Sequence, residues 1–186
     1  KKYKILEFNR GDNFKKLEKL IKLSDVIFHI AAENRPKNNS FFKVNNIDLT
    51  YKICEIVEKQ NKKIKIIFTS TTQVNKKNEY AKSKKLCEEI LIKLKKKTNN
   101  NIKILRLPNI YGKWSRPNHN SVVATFCYNI LRNKKIIVHD DNEYIYLYYI
   151  DNLLENFYNL LKSKNKKIYT KIVNIDKIKV KSIADK

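Results

Sequence analysis

Hydrophobic positions along this chain fall into two alternating rhythms. Phe14, Leu17, Leu20 and Ile21 recur at helical spacing and predict a helix over Asn13–Leu23. The next segment, Asp25–Ala32, is instead a continuous apolar run, as expected of a strand buried on both faces of a parallel sheet. The alternation repeats downstream. Asn45–Lys59 reads as a helix, Lys63–Thr69 as a strand, Glu79–Lys97 as a helix, and Lys103–Arg106 as a strand that stops at Pro108. Tyr3–Phe8 reads as a short strand before the first helix. Strands alternating with helices of this length predict an α/β, Rossmann-like doubly wound parallel sheet.

The rhythm loosens after residue 112. Asn118–Asn133 is expected to be helical, Lys135–Val138 a strand, and Tyr144–Ile150 an aromatic-rich strand. Asp151–Lys162 then reads as a helix with Asp151 as its N-cap, Tyr169–Ile175 as a last strand, and Ser182 as the start of a further helix. We therefore expect residues 1–112 to form a partial cofactor-binding and catalytic region. Residues 113–186 are expected to form a small α/β substrate-binding part packed on the same domain and truncated at its C-terminus.

Composition changes this picture in three ways. The formal net charge of +23 raises the question of nucleic acid. The lysines are spread along the whole chain, however, and Arg is scarce while Asn and Ile abound. That pattern reads as a bias toward A/T-rich codons, so no specific nucleic-acid partner is expected, only salt-sensitive attraction to polyanions. Cys54, Cys87 and Cys127 show no metal or redox spacing, and His119 and His139 have no partners at ligand spacing, so no metal site is expected. Free thiols and the lack of an ~18-residue apolar run fit a cytoplasmic protein with no membrane partner. The chain also has no Met and only two glycines, Gly11 and Gly112. It therefore reads as an internal piece of a longer protein, without a Gly-rich phosphate loop.

The candidate chemistry lies in residues 64–84. The strand Ile-Lys-Ile-Ile-Phe-Thr-Ser-Thr ends in hydroxyls, and a helix carrying Tyr80-x-x-x-Lys84 follows. At i and i+4 the two side chains share one helix face. A Lys ammonium beside a phenol favours the phenolate, so Lys84 is expected to lower the Tyr80 pKa and make it a usable proton donor.

A strand-end hydroxyl followed by a Tyr-x-x-x-Lys helix resembles the active-site order of short-chain dehydrogenases/reductases. Further segments, in order, resemble the extended members of that family, the NAD-dependent epimerase/dehydratases. They are VIFHIAA at 26–32, NNIDLT at 45–50, FTSTTQV at 68–74, RLPNIYG at 106–112 and YYIDN at 148–152. AAENRP at 31–36 and the long block YGKWSRPNHNSVVATFCYNILRN at 111–133 are similar to the CapF-type reductases. Those enzymes reduce a UDP-linked 4-keto-2-acetamido-2,6-dideoxy sugar for capsule or O-antigen.

The resemblance implies Thr71, Tyr80 and Lys84 as catalytic residues. It implies cofactor contacts from Ile30, Ala31, Ala32, Asn46, Tyr80, Lys84 and Pro108, and substrate contacts from Asn34, Thr71, Asn109, Trp114 and Asn120. Trp114 either lines the sugar pocket or pins a loop. At the end of the second family strand the chain reads Asn9-Arg10 where NAD-binding members carry an acid. Arg10 suits a 2′-phosphate, so NADPH is expected over NADH, although a surface Arg after a strand would read the same way. A homodimer through the Tyr-x-x-x-Lys helix is a further expectation from the family. An epimerase or a 4,6-dehydratase is the nearest alternative. The latter would carry an Asp-Glu pair where this chain has Thr72-Gln73. A noncatalytic basic fragment is the other alternative, and intact Thr71, Tyr80 and Lys84 speak against it. His29, within a buried strand, is expected to be a hydrogen-bonded core residue.

Overall fold

The apolar runs of the first half build a sheet whose inner strands are buried on both faces. The run expected over Asp25–Ala32, by contrast, is a strand only over Val26–His29 and leaves Phe28 exposed at the sheet edge. In the computed structural model, which describes residues 3–185, β1 (Val26–His29), β2 (Lys65–Thr71), β3 (Asn101–Leu107) and β6 (Tyr169–Thr170) lie side by side in that order. β1 pairs with β2 in parallel from Val26↔Lys65 to His29↔Phe68, and β3 pairs with β6 in parallel at Ile104↔Tyr169. Ile66 and Ile67 on β2 and Ile104 and Leu105 on β3 are consecutive pairs and all fully enclosed, so these two strands are buried on both faces. The α/β, Rossmann-like class expected from the sequence is the one observed.

Helices cover this sheet. Asn13 caps α1 (Phe14–Leu23) by accepting from the Lys16 amide at 2.9 Å, and the helix buries Leu17 and Ile21. Asn78 caps α4 (Glu79–Lys97) in the same way through the Ala81 amide at 2.8 Å. The stretch expected as one helix from Asn45 begins earlier and changes pitch. It runs as α2 (Ser40–Phe42), a π turn (Lys43–Asp48) and α3 (Leu49–Glu58). The wider turn carries Asn46, whose amide is buried and bonded to groups outside its own helix.

Contacts divide the chain into two compact units, Lys1–Arg106 with Lys164–Thr170, and Leu107–Ser163 with Lys171–Lys186. The return of 164–170 to the first unit has a local cause. Lys103, buried on β3, donates to the carbonyls of Asn165 and Lys167, and Lys95 donates to that of Lys166.

The second unit holds β4 (Asn109–Tyr111), β5 (Tyr144–Tyr149) and β7 (Asp176–Lys179), with β4–β5 parallel and β5–β7 antiparallel. Its helices are α5 (Val122–Ile130), capped by Ser121, α6 (Ile150–Lys162) and α7 (Val180–Ala184). Tyr144 and Tyr146 face Lys179 and Lys177 across the β5–β7 ladder, and Lys177 lies 4.8 Å from the Tyr144 ring centre. Gly112 has φ 134°, and a Cβ there would meet Ile150 at 2.6 Å, so only glycine fits.

Four local expectations are corrected. Tyr3–Phe8 joins no ladder among the described residues, although Phe8 packs on the core. Lys135–Val138 is not a strand, because Asn129 holds the chain there through Lys134 N at 2.8 Å and the Lys135 carbonyl at 3.3 Å. Tyr169–Ile175 is not one strand; Asn174, at φ 60°, turns the chain, and the downstream strand joins the other sheet. Asp151 lies inside the first turn of α6, where it pairs with Lys113, and Tyr149 takes the cap position.

Candidate active site

The catalytic candidates come from two adjoining elements of the first unit. Thr71 is the last residue of β2, at the carboxyl end of the sheet where doubly wound folds bind ligands. It is buried, and its Oγ1 accepts from the Gln73 amide at 3.1 Å. Tyr80 and Lys84 occupy the first two turns of α4, which packs on β2. The Lys84 ammonium lies 4.2 Å from the centre of the Phe68 ring on that strand.

Burial governs both titratable side chains. Lys84 is 2 % exposed, and desolvation brings its pKa down to about 8, opposed by Cys87 and Glu88. Burial pushes the Tyr80 phenol up, and Cys87 adds to the rise. The expectation that Lys84 lowers the Tyr80 pKa is therefore not met. The reason is that the Lys84 charge lies over the Phe68 face while half-burial disfavours the phenolate. The Tyr80 ring packs against Phe42, with ring centres 6.2 Å apart.

Asn46 ties the π turn to this helix. Its Nδ2 donates to Ser83 Oγ at 3.0 Å, and Ser83 donates to the Tyr80 carbonyl at 2.8 Å. Its other contacts clamp the turn after β1, where Oδ1 accepts from the Glu33 amide at 2.7 Å and Nδ2 donates to the Glu33 carbonyl at 3.1 Å. The Asn46 carbonyl accepts from Thr50 Oγ1 at 2.7 Å and from the Cys87 thiol at 3.3 Å. His29 completes the layer by bonding Thr50 at 2.8 Å. Burial drives the His29 pKa down to about 3, so it is a neutral core residue.

Ile30, Ala31 and Ala32 follow the carboxyl end of β1 and are all exposed, Ile30 by 54 %. An exposed run of apolar and small residues at this edge fits the flat face of a nucleotide lying on the backbone. Arg10 is exposed but not alone, since its Nη2 pairs with Glu33 Oε2 at 2.7 Å. Asn34 is exposed in the same turn. The remaining candidates belong to the second unit or its border. Pro108 is half-buried, whereas Asn109, Trp114 and Asn120 are exposed. Trp114 is 94 % exposed with φ 68°, a backbone conformation that a bulky side chain rarely adopts.

The sequence reading passed over Glu88. It lies one turn beyond Lys84 and is 2 % exposed. Arg106 grips it with Nε at 3.0 Å and Nη2 at 2.6 Å, while Ser70 and Tyr169 donate to it as well. Burial alone would raise its carboxyl, but these hydrogen bonds outweigh burial and hold it below the usual range. The signal was present as the i, i+4, i+8 series Tyr80, Lys84, Glu88.

Residues 3–176 match the model of the NAD dependent epimerase/dehydratase family. A UDP-2-acetamido-2,6-beta-L-arabino-hexul-4-ose reductase of Pseudomonas aeruginosa is 41 % identical over 160 residues, which cover 86 % of this chain and 43 % of that protein. The capsular polysaccharide assembling protein CapF of Staphylococcus aureus superposes with a TM-score of 0.74 at 30 % identity, covering 92 % of this chain and 46 % of CapF. A UDP-glucuronic acid 4-epimerase of Bacillus cereus, solved with UDP-glucuronic acid and NAD, shares the fold with a TM-score of 0.80 at 22 % identity, over 91 % of this chain and 60 % of the epimerase. The chain thus spans less than half the length of the reductase and of CapF.

Proposed function

The chain belongs to the NAD-dependent epimerase/dehydratase family, and we propose that the protein carrying it reduces the C4 ketone of a UDP-linked 2-acetamido-2,6-dideoxy sugar. The observation that carries this reading is the buried Lys84 one turn beyond Tyr80, on a helix packed against the strand that ends in Thr71. The similarity to a reductase of that sugar class supports the choice of substrate.

When bound, the reduced nicotinamide supplies the hydride that C4 accepts. Tyr80 donates the phenolic proton to the forming alkoxide, so the ketone gains one hydride and one proton. A phenol held protonated by burial suits that role. Thr71 steadies the same oxygen by hydrogen bonding as its charge grows. Lys84, one turn further along the same helix, holds the nicotinamide ribose. Ile30, Ala31, Ala32, Asn46 and Pro108 supply the cofactor surface, and Arg10 favours NADPH over NADH. Asn34, Asn109, Trp114 and Asn120 hold the sugar nucleotide, a role consistent with the strained, exposed backbone at Trp114. Thr72 and Gln73 occupy the place of a dehydratase acid pair, which favours reduction over dehydration. Among the described residues no helix is long and apolar enough to cross a membrane. The reading includes a cytoplasmic homodimer.

The test is single-turnover and steady-state reduction of the UDP-4-ketosugar by the full-length protein and its Tyr80→Phe variant. Loss of about 10²–10⁴-fold in turnover with an unchanged circular dichroism spectrum is expected. Turnover close to wild type would remove Tyr80 from the mechanism.

A further inference from the structure

Resting on the reading of Arg10 as the cation beside the adenosine ribose, we propose that Glu33 sets the cofactor preference by competing with the 2′-phosphate of NADPH for Arg10. The geometry is asymmetric. Glu33 follows Ala32 in the turn after β1, and both its backbone amide and its carbonyl are fastened to the buried side chain of Asn46. Its Oε2 also accepts from Asn45 Nδ2 at 3.3 Å and from Arg10 Nη2 at 2.7 Å. The Glu33 side chain is 17 % exposed, whereas that of Arg10 is 81 % exposed. The carboxylate is thus a post held within the turn, and the guanidinium reaches it from solvent.

Each member of the pair reads the ribose 2′-substituent with opposite sign. A 2′-phosphate is a strong acceptor for the planar guanidinium fork, but to engage it Arg10 must leave Glu33. The phosphate also meets a like charge at that post. A 2′-hydroxyl is a donor, so Glu33 accepts from it without disturbing Arg10. Arg10 therefore draws NADPH while Glu33 draws NADH, and the intact pair leaves only a narrow preference. A carboxylate for the ribose, absent at Asn9-Arg10 in the sequence, is supplied from the neighbouring turn instead.

Calorimetric titration of the full-length protein with NADPH and NADH, and with adenosine 2′,5′-bisphosphate and AMP, reads this without turnover. Glu33→Gln keeps the shape and removes the charge. It should raise the NADPH-to-NADH affinity ratio about tenfold, chiefly by tightening NADPH, with the same trend in the two adenosine probes. In an Arg10→Ala background the same substitution should change the ratio by less than about threefold, because the contested guanidinium is gone. A ratio unchanged by Glu33→Gln overturns the inference and leaves the reductase reading standing. A full tenfold change that persists without Arg10 also overturns it, since the competition for Arg10 would then carry none of the preference. Wild-type protein that binds neither cofactor would sink the reductase reading and this inference with it.

Discussion

Glu88 and Glu33 each hold an arginine, one inside the interface of α4 with the sheet and one at the exposed turn after β1. Glu88 is sealed and takes bonds from four groups on two neighbouring strands, β3 and β6, and on the end of β2. Removing any one partner leaves charge in a site with little water. Glu33 is fixed at its backbone, but its arginine stands in solvent and can exchange partners at small cost. The buried pair suits a job that must not vary, holding Ser70 beside Thr71 and the helix that carries Lys84. The exposed pair suits the role proposed for it, admitting one nucleotide or another.

That contrast can be broken most forcefully at Glu88. Arg106→Ala should lower unfolding free energy by about 3–5 kcal/mol, because the sealed Glu88 carboxylate loses its counter-charge. Urea denaturation measures this, and a loss below about 1 kcal/mol would put Glu88 in the same class as Glu33.

Lys84 tests whether burial itself, without a paired arginine, carries a comparable energy. Its folded pKa, about 8, is depressed below the ordinary value of 10.5. The unfolded chain therefore binds more protons between those values, and stability contributed through Lys84 rises with pH across that window. Below pH 8 the burial penalty is fully present, roughly 3 kcal/mol from the size of the depression. Lys84→Met should accordingly be more stable than wild type at pH 7, and the gap should narrow as pH rises toward 9.5. A gap that is constant with pH would mean that the Lys84 ammonium is as well solvated as in the unfolded chain.

The smallest effect is expected at the exposed pair. Arg10→Ala should change stability by less than about 1 kcal/mol, since one partner is mostly in water. A larger loss would show that Arg10 braces the turn after β1.

Much of the first unit was legible because its signals are local. Glu79–Lys97 was readable to the residue from its helical pattern, and the hydroxyls at the end of the apolar run placed Thr71 at a strand end. Capping and periodicity act within a few residues, so a sequence displays them directly. The second half was less legible. The run Tyr169–Ile175 has strand composition throughout, but its first residues are drawn to β3 and the downstream chain pairs with β5. Only the positions of those distant strands decide where the run divides.

The sequence by itself determined the α/β class, the alternation of helices and strands from α1 to β3, and the spacing of Thr71, Tyr80 and Lys84, because these follow from spacing along one helix or one strand. Tertiary structure alone decided the electrostatics. The burial of Lys84 on α4 fixed the direction of its pKa, and burial reversed the direction expected for Tyr80. Arg10 and Glu33 lie 23 residues apart, and Arg106 and Glu88 lie 18 apart, yet each pair closes to hydrogen-bonding distance. Coulomb energy and desolvation depend on distance and burial in space, and neither quantity is written in the linear order of residues.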